Sequence, residues 1–223
     1  MNFRNAILFL PALLLIGCGV TLAPAPGANT LPGNKAAAVA EAGGVRMVVM
    51  PNRWSGSPAD LKDVVTPLRV TIENGSGQPL RIRYNEFALV GPAGFTASAL
   101  PPYKVEGTVV EPVFLPQTYY DGFYVARHYE AYFPGAKAWR HPWDFDEFYY
   151  TSRYNLWVRP LPTQDMLERA IVEGVLEPEG HIWGFLYFEK ADRRLKRIAF
   201  TADLINARTG AKFGAIRIPF TFK

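Results

Sequence analysis

The chain has 223 residues, 24 basic against 20 acidic side chains for a formal net charge of +4, 49% hydrophobic residues and one cysteine. So small a positive balance gives no case for nucleic-acid binding. A single thiol excludes an internal disulfide and any site built from several cysteines, while the apolar content and length suit one domain with its own core.

Arg4 and the apolar residues 6–16, with small Gly17 before Cys18, make the three parts of an export signal. About eleven apolar residues are too few to cross roughly 30 Å of hydrocarbon, and Pro11 interrupts them. Leu15-Ile16-Gly17-Cys18 resembles the lipobox of bacterial lipoproteins, the alternative being an ordinary signal with a cysteine nearby. The resemblance implies that residues 1–17 are removed and that Cys18 becomes an N-terminus carrying diacylglycerol and an N-acyl chain. Gly19 in place of Asp implies sorting to the outer membrane, facing the periplasm. Several acyl chains on one residue suffice for stable anchoring. Loss of Arg4 leaves the mature chain at +3.

Residues 18–44 are rich in Ala, Pro and Gly and carry two charges, Lys35 and Glu41. Such a segment buries too little to offset its ordering entropy and is expected to be a flexible tether, with a reach of roughly 28 Å. A helical turn or two is possible within 35–42.

From Val45 the pattern turns to β. Residues 45–50 form an expected first strand. Ser57-Pro58-Ala59-Asp60 reads as a helix start, with Ser57 as N-cap and Pro58 at the first helical position. Leu68, Val70 and Ile72 alternate with Arg69, Thr71 and Glu73. Asn74-Gly75-Ser76-Gly77 then turns the chain into a returning strand carrying Leu80, Ile82 and Tyr84. Strands are expected at 87–90, 95–100 and 105–110. Pro162-Thr163 opens a helix with Met166, Leu167, Ala170 and Ile171 on one side and Gly174 at its end. His181–Glu189, a strand carrying Ile198, Phe200, Ala202 and Leu204, and a closing strand carrying Ile216, Ile218, Phe220 and Phe222 complete the set. The last two are expected to form a hairpin.

Many short strands and few helices predict a mainly all-β domain over 45–223, an immunoglobulin-like antiparallel β-sandwich with one or two short helices and an aromatic-rich insertion at about 112–160. A small barrel gives much the same pattern.

About half of the aromatic side chains lie between Phe114 and Trp157. In the strand His181–Glu189, Ile182, Leu186 and Phe188 face one way and Trp183, Phe185 and Tyr187 the other, so both faces need cover. The insertion is the expected cover, with Gly184 marking the close approach of another backbone. The alternative leaves an exposed binding surface of Tyr119, Tyr120, Tyr124, Trp139, Trp143, Tyr149 and Tyr150, suited to partners or sugar rings.

Chemistry-bearing residues are sparse. His141-Pro142-Trp143-Asp144-Phe145-Asp146-Glu147 has metal-ligand residue types without EF-hand or zinc spacing, and reads as a solvated acidic turn. His128 and His181 are expected to hydrogen-bond locally. Ser76 sits between glycines as ordinary turn chemistry. No metal or cofactor is expected. Lys190, Arg193, Arg194, Lys196 and Arg197 form a basic patch, either a charged loop that discourages edge pairing or a contact for phosphate headgroups or lipid A.

Leu161-Pro162-Thr163-Gln164-Asp165-Met166, Glu173-Gly174-Val175-Leu176 and the run from Gly180 to Phe188 resemble predicted Gram-negative lipoproteins with an uncharacterised immunoglobulin-like domain. That resemblance implies a fold and no activity. The expected function is therefore a non-enzymatic envelope lipoprotein, structural or partner-binding. A module for glycan or peptidoglycan fragments is the first alternative and a hydrolase the second.

Overall fold

The computed structural model describes residues 21–112 and 156–223. In chain order the strands are β1 Leu22–Pro24, β2 Thr30–Leu31, β3 Asn34–Ala42, β4 Val45–Pro51, β5 Val65–Asn74, β6 Leu80–Ile82 and β7 Phe87–Val90. They continue with β8 Thr96–Leu100, β9 Thr108–Pro112, β10 Leu156–Pro160, β11 Gly174–Leu176, β12 His181–Glu189, β13 Arg197–Ile205 and β14 Lys212–Phe222. A six-residue helix, α1 Gln164–Arg169, and several single 3-10 turns join them.

Ten strands form one antiparallel sheet in the order β1-β14-β13-β7-β8-β12-β5-β4-β3-β2, while β9 with β10 and β6 with β11 form two small ribbons. Strands β14 and β1 come to lie against β3. The all-β class expected from the alternation is the one observed. Its ten strands share one unbroken hydrogen-bond order that curls until its ends approach each other, and the shape is nearly that of a barrel.

Alternation explains the interior. Leu68, Val70 and Ile72 of β5, Ile198, Phe200, Ala202 and Leu204 of β13, and Ile216, Ile218 and Phe220 of β14 are all buried in one cluster. Phe200 stacks on Phe87 at 6.1 Å and meets Phe188 edge to face at 6.3 Å. Each such side chain removed from water contributes about 1.5–3 kcal/mol.

The flexible tether expected over 18–44 is corrected from residue 22 onward, and the domain starts at β1 rather than at Val45. Strand β3 pairs with β4 from Ala38↔Val49 to Ala42↔Val45, and β1 pairs with β14. Ala37 and Ala38 are fully buried. Small side chains suit β3 because the curled sheet brings β14 and β1 against it. Residues 35–42 are accordingly strand, not helical turn.

Local patterns misplace four other connections. Strand β6 does not return along β5, because β4 and β12 already occupy both edges of β5; it pairs with β11 instead. Ser57 and Pro58 start no α-helix. One 3-10 turn, Leu61–Asp63, follows with Asp60 before it. The strand expected from 105 begins at Thr108, after the turn Pro102–Lys104. Helix α1 ends at Arg169 rather than at Gly174, since the chain turns to meet β12.

That meeting is the close approach expected at Gly184. Strand β8 covers only Tyr187 and Phe188 on this edge of β12. Ala170 bridges Phe185 in parallel, and the Ile171 amide donates to the Phe185 carbonyl at 3.0 Å. A β-carbon on Gly184 would stand 2.8 Å from the Ile171 nitrogen.

The outer face of β12 is covered at Phe185 and Tyr187, and among the described residues the cover comes from residues 54–65 and from the segments on either side of the aromatic stretch, which itself lies outside the described residues. Phe185 and Tyr187 pack with Leu61, Val105, Val109, Leu161 and Met166 in a second cluster. Trp54 meets both rings edge on, at 5.0 and 6.0 Å. The indole of Trp183 stays 57% exposed, with the Arg69 guanidinium 4.8 Å from its centroid. Strands β9 and β10 pair from Leu156↔Pro112 to Pro160↔Thr108, so the aromatic stretch leaves and rejoins the domain at neighbouring points.

Candidate functional site

Antiparallel register gathers several chain ends at one end of the sheet. Leu22 pairs with Phe222 and Arg197 with Thr221, while Glu189 pairs with Val65. The start of β1, the end of β14, the start of β13 and the end of β12 therefore share one rim. Thr21 and Lys223 close it with a reciprocal pair of main-chain hydrogen bonds, at 2.9 and 2.8 Å.

The residues joining β12 to β13 carry the basic patch expected from sequence. Asp192 caps the 3-10 turn Arg193–Leu195 through Oδ1, which accepts from the Arg194 amide at 2.7 Å. Lys196 follows with φ 56° and ψ −42°, close to the strained γ-turn conformation. Its carbonyl accepts from the Phe222 amide at 3.1 Å, so the turn is held onto the rim. Lys190, Arg193, Arg194, Lys196 and Arg197 are all exposed. Lys190 donates to the Asp63 carbonyl at 2.8 Å, and Arg194 approaches Asp192 at 3.6 Å with its side chain 91% exposed.

Folding adds residues that sequence reading did not join to this patch. Exposed Lys62 and Lys223 stand on the same rim. A groove of about 930 Å³ runs beside it, lined by Leu22, Asn52, Trp54, Lys62, Arg193 and Arg194 among others. A second, of about 510 Å³, carries Arg197 and Arg217. These bases come from three separate segments, Lys62, residues 190–197 and the end of β14, and only the cluster at 190–197 was legible as a local run.

The rim and the opposite end differ in how their charges are matched. At the far end Arg46 pairs with Glu73 at 2.9 Å, Lys212 with Asp203 at 2.7 Å and Arg208 with Glu177 at 3.9 Å. At the rim Lys62, Arg193, Lys196 and Arg197 form no ion pair among the described residues. The rim does carry Asp60, Asp63, Glu189 and Asp192, so its excess is a few charges rather than a uniform positive face.

The other candidates separate clearly. The aromatic surface of Tyr119, Tyr120, Tyr124, Trp139, Trp143, Tyr149 and Tyr150 lies outside the described residues, as do Cys18, His128 and the 141–147 cluster. His181 is exposed at the start of β12, opposite Glu73, and its ring makes no hydrogen bond among the described residues. Ser76 is committed to its turn: its hydroxyl donates to Asn74 Oδ1 at 2.6 Å. Among the described residues no three His, Cys, Asp or Glu side chains come together as metal ligands, and no helix is long and apolar enough to cross a membrane.

Two buried phenols are structural. Tyr187 donates to the Met166 carbonyl at 2.9 Å and Tyr84 to the Ile171 carbonyl at 2.6 Å, fixing both ends of the α1 segment. Burial raises both above the ordinary tyrosine range. Nearby Glu173 adds to the effect on Tyr84, and Tyr84 to that on Tyr187. Neither can serve as a base near neutral pH.

Compared with models of known families, with curated proteins and with solved structures, the chain matches none.

Proposed function

We propose that this protein is a non-catalytic lipoprotein of the bacterial envelope. Acyl chains on Cys18 hold its all-β domain at the outer membrane, facing the periplasm, where it serves as a structural or partner-binding module. The observation that supports this most is the Leu15-Ile16-Gly17-Cys18 run behind an apolar export signal, and the position of β1 then sets the geometry of the anchor. Only Gly19, Val20 and Thr21 separate Cys18 from Leu22, and Leu22 already belongs to the sheet. Fully extended, that link spans no more than about 14 Å. A lipid on Cys18 would therefore fix the folded body beside the bilayer rather than at the end of a long leash.

Metabolic labelling with radioactive palmitate tests the reading. The wild-type chain takes up label and sediments with outer membranes, and Cys18→Ala takes up none. A wild-type chain without label would overturn the proposal.

A further inference from the structure

Resting on the lipid-anchor reading, we infer that the basic rim docks on the headgroup phosphates of the leaflet that holds the Cys18 acyl chains. Its ligands are anionic glycerophospholipids, and its contacts are Lys190, Arg193, Arg194, Lys196 and Arg197, with Lys62 and Lys223 beside them. Three observations carry the inference. First, Thr21 and Lys223 are hydrogen-bonded to each other on this rim, so the anchor leaves the domain from the face that bears the excess bases. Second, the far end neutralises its bases with carboxylates while the rim leaves four of them unpaired. Third, the 193–197 turn is pinned to β14 through Lys196, so its charges are presented from a fixed base rather than from a floppy loop.

The physical consequence is additive. A lysine or arginine close to an anionic surface raises partitioning roughly fivefold, and the effect falls off within a Debye length of about 8 Å at physiological salt. The link, at most about 14 Å when extended, lets the rim come within that range without forcing it there, so docking rather than the tether holds it close. Docking fixes the orientation of the domain, with the rim down and the β3–β4 turn and residues 206–211 pointing away from the bilayer. Carboxylates on the rim set a limit, since Asp60, Asp63, Glu189 and Asp192 weaken the attraction and make it sensitive to salt.

The test uses the full-length acylated protein in phosphatidylcholine vesicles with or without about 30% phosphatidylglycerol, at low salt and at about 0.5 M salt. Lysines are acetylated briefly and read by mass spectrometry, with Lys190 and Lys196 compared against Lys212 at the far end. With anionic lipid the rim lysines should react at least about threefold more slowly relative to Lys212, and high salt should abolish the difference. The triple variant R193E/R194E/R197E, checked for an unchanged circular dichroism spectrum and Tm, should lose the protection. Equal labelling in both vesicle types overturns the inference. So does equal protection by inorganic phosphate without vesicles, which would mark a free-anion site. The anchor reading fails separately: if Cys18 carries no acyl chain, the full chain added from solution still reports whether the rim binds anionic vesicles.

Discussion

The side-chain amide of Asn52 donates to the main-chain oxygen of Leu22 at 2.6 Å. Asn52 has φ 55°, a left-handed conformation that asparagine tolerates better than most residues. The bond ties the first strand to the loop after β4, on the wall of the larger groove. Replacing Asn52 by Gly keeps the backbone conformation and removes the amide. That should cost about 1 kcal/mol and speed hydrogen exchange in Leu22–Pro24, with β12 unaffected. Asn52→Ala should cost more, because it adds a strained φ. Exchange measured peptide by peptide in the two variants checks both outcomes.

Tyr84 and Tyr187 make stability depend on alkaline pH. Both phenols are raised above 10.0 in the folded state, so the native chain retains protons that the unfolded chain has released. Their contribution is complete below about pH 10 and is lost as pH rises through the raised folded values. Urea melts between pH 8 and 11 should show stability falling at the alkaline end. Tyr84→Phe and Tyr187→Phe should each cost about 1 kcal/mol at neutral pH, and the double variant should flatten the alkaline loss.

Gly184 lies under the 169–171 segment, where an added β-carbon would stand 2.8 Å from the Ile171 nitrogen and 3.0 Å from the Arg169 oxygen. Both neighbours are backbone, so neither can swing away. Gly184→Ala should destabilise the domain by about 2–3 kcal/mol, read as a lower denaturation midpoint. Gly174→Ala, with open space around its β-carbon position, is the control and should change little.

Asn74 is a buried polar knot. Its amide donates to the carbonyls of Gln78 at 2.8 Å and Leu176 at 2.9 Å, and its Oδ1 accepts from the Ser76 amide and hydroxyl. Asn74→Ala removes both amide donations and leaves Gln78 only the Ser76 hydroxyl as a side-chain donor; it should cost about 2–3 kcal/mol. Ser76→Ala removes the hydroxyl's bonds to Asn74 and Gln78 within a part-buried turn and should cost less, about 1 kcal/mol. Thermal unfolding of the two variants separates a structural knot from an ordinary turn.

Strands were legible wherever side-chain alternation met a clear stop. His181–Glu189 matched β12 residue for residue because large apolar side chains crowd both faces and Gly180 precedes it. The N-terminal strands were not legible. Ala36 to Ala42 are alanines apart from Val39 and Glu41, and their burial depends on β4 and on the approach of β14, neither of which a local window contains. The route from β5 to β6 failed for a related reason. Asn74–Gly77 does turn the chain, but the occupant of β5's edge, β12, arrives more than a hundred residues later. For the candidate site, a run of bases was visible between 190 and 197, whereas its position beside Thr21, Asn52 and Lys223 follows only from register.

Orientation on the membrane tests the account most directly. Because acylation would occupy Cys18, a cysteine introduced elsewhere is the one free thiol for a fluorescent donor. Glu189→Cys places it on the rim and Arg208→Cys at the far end, separated by roughly 30 Å along a nine-residue strand. With an acceptor on the lipid headgroups, energy transfer should be high from position 189 and low from position 208. Equal transfer from the two positions would mean that the domain tumbles freely on its anchor, and would contradict the account.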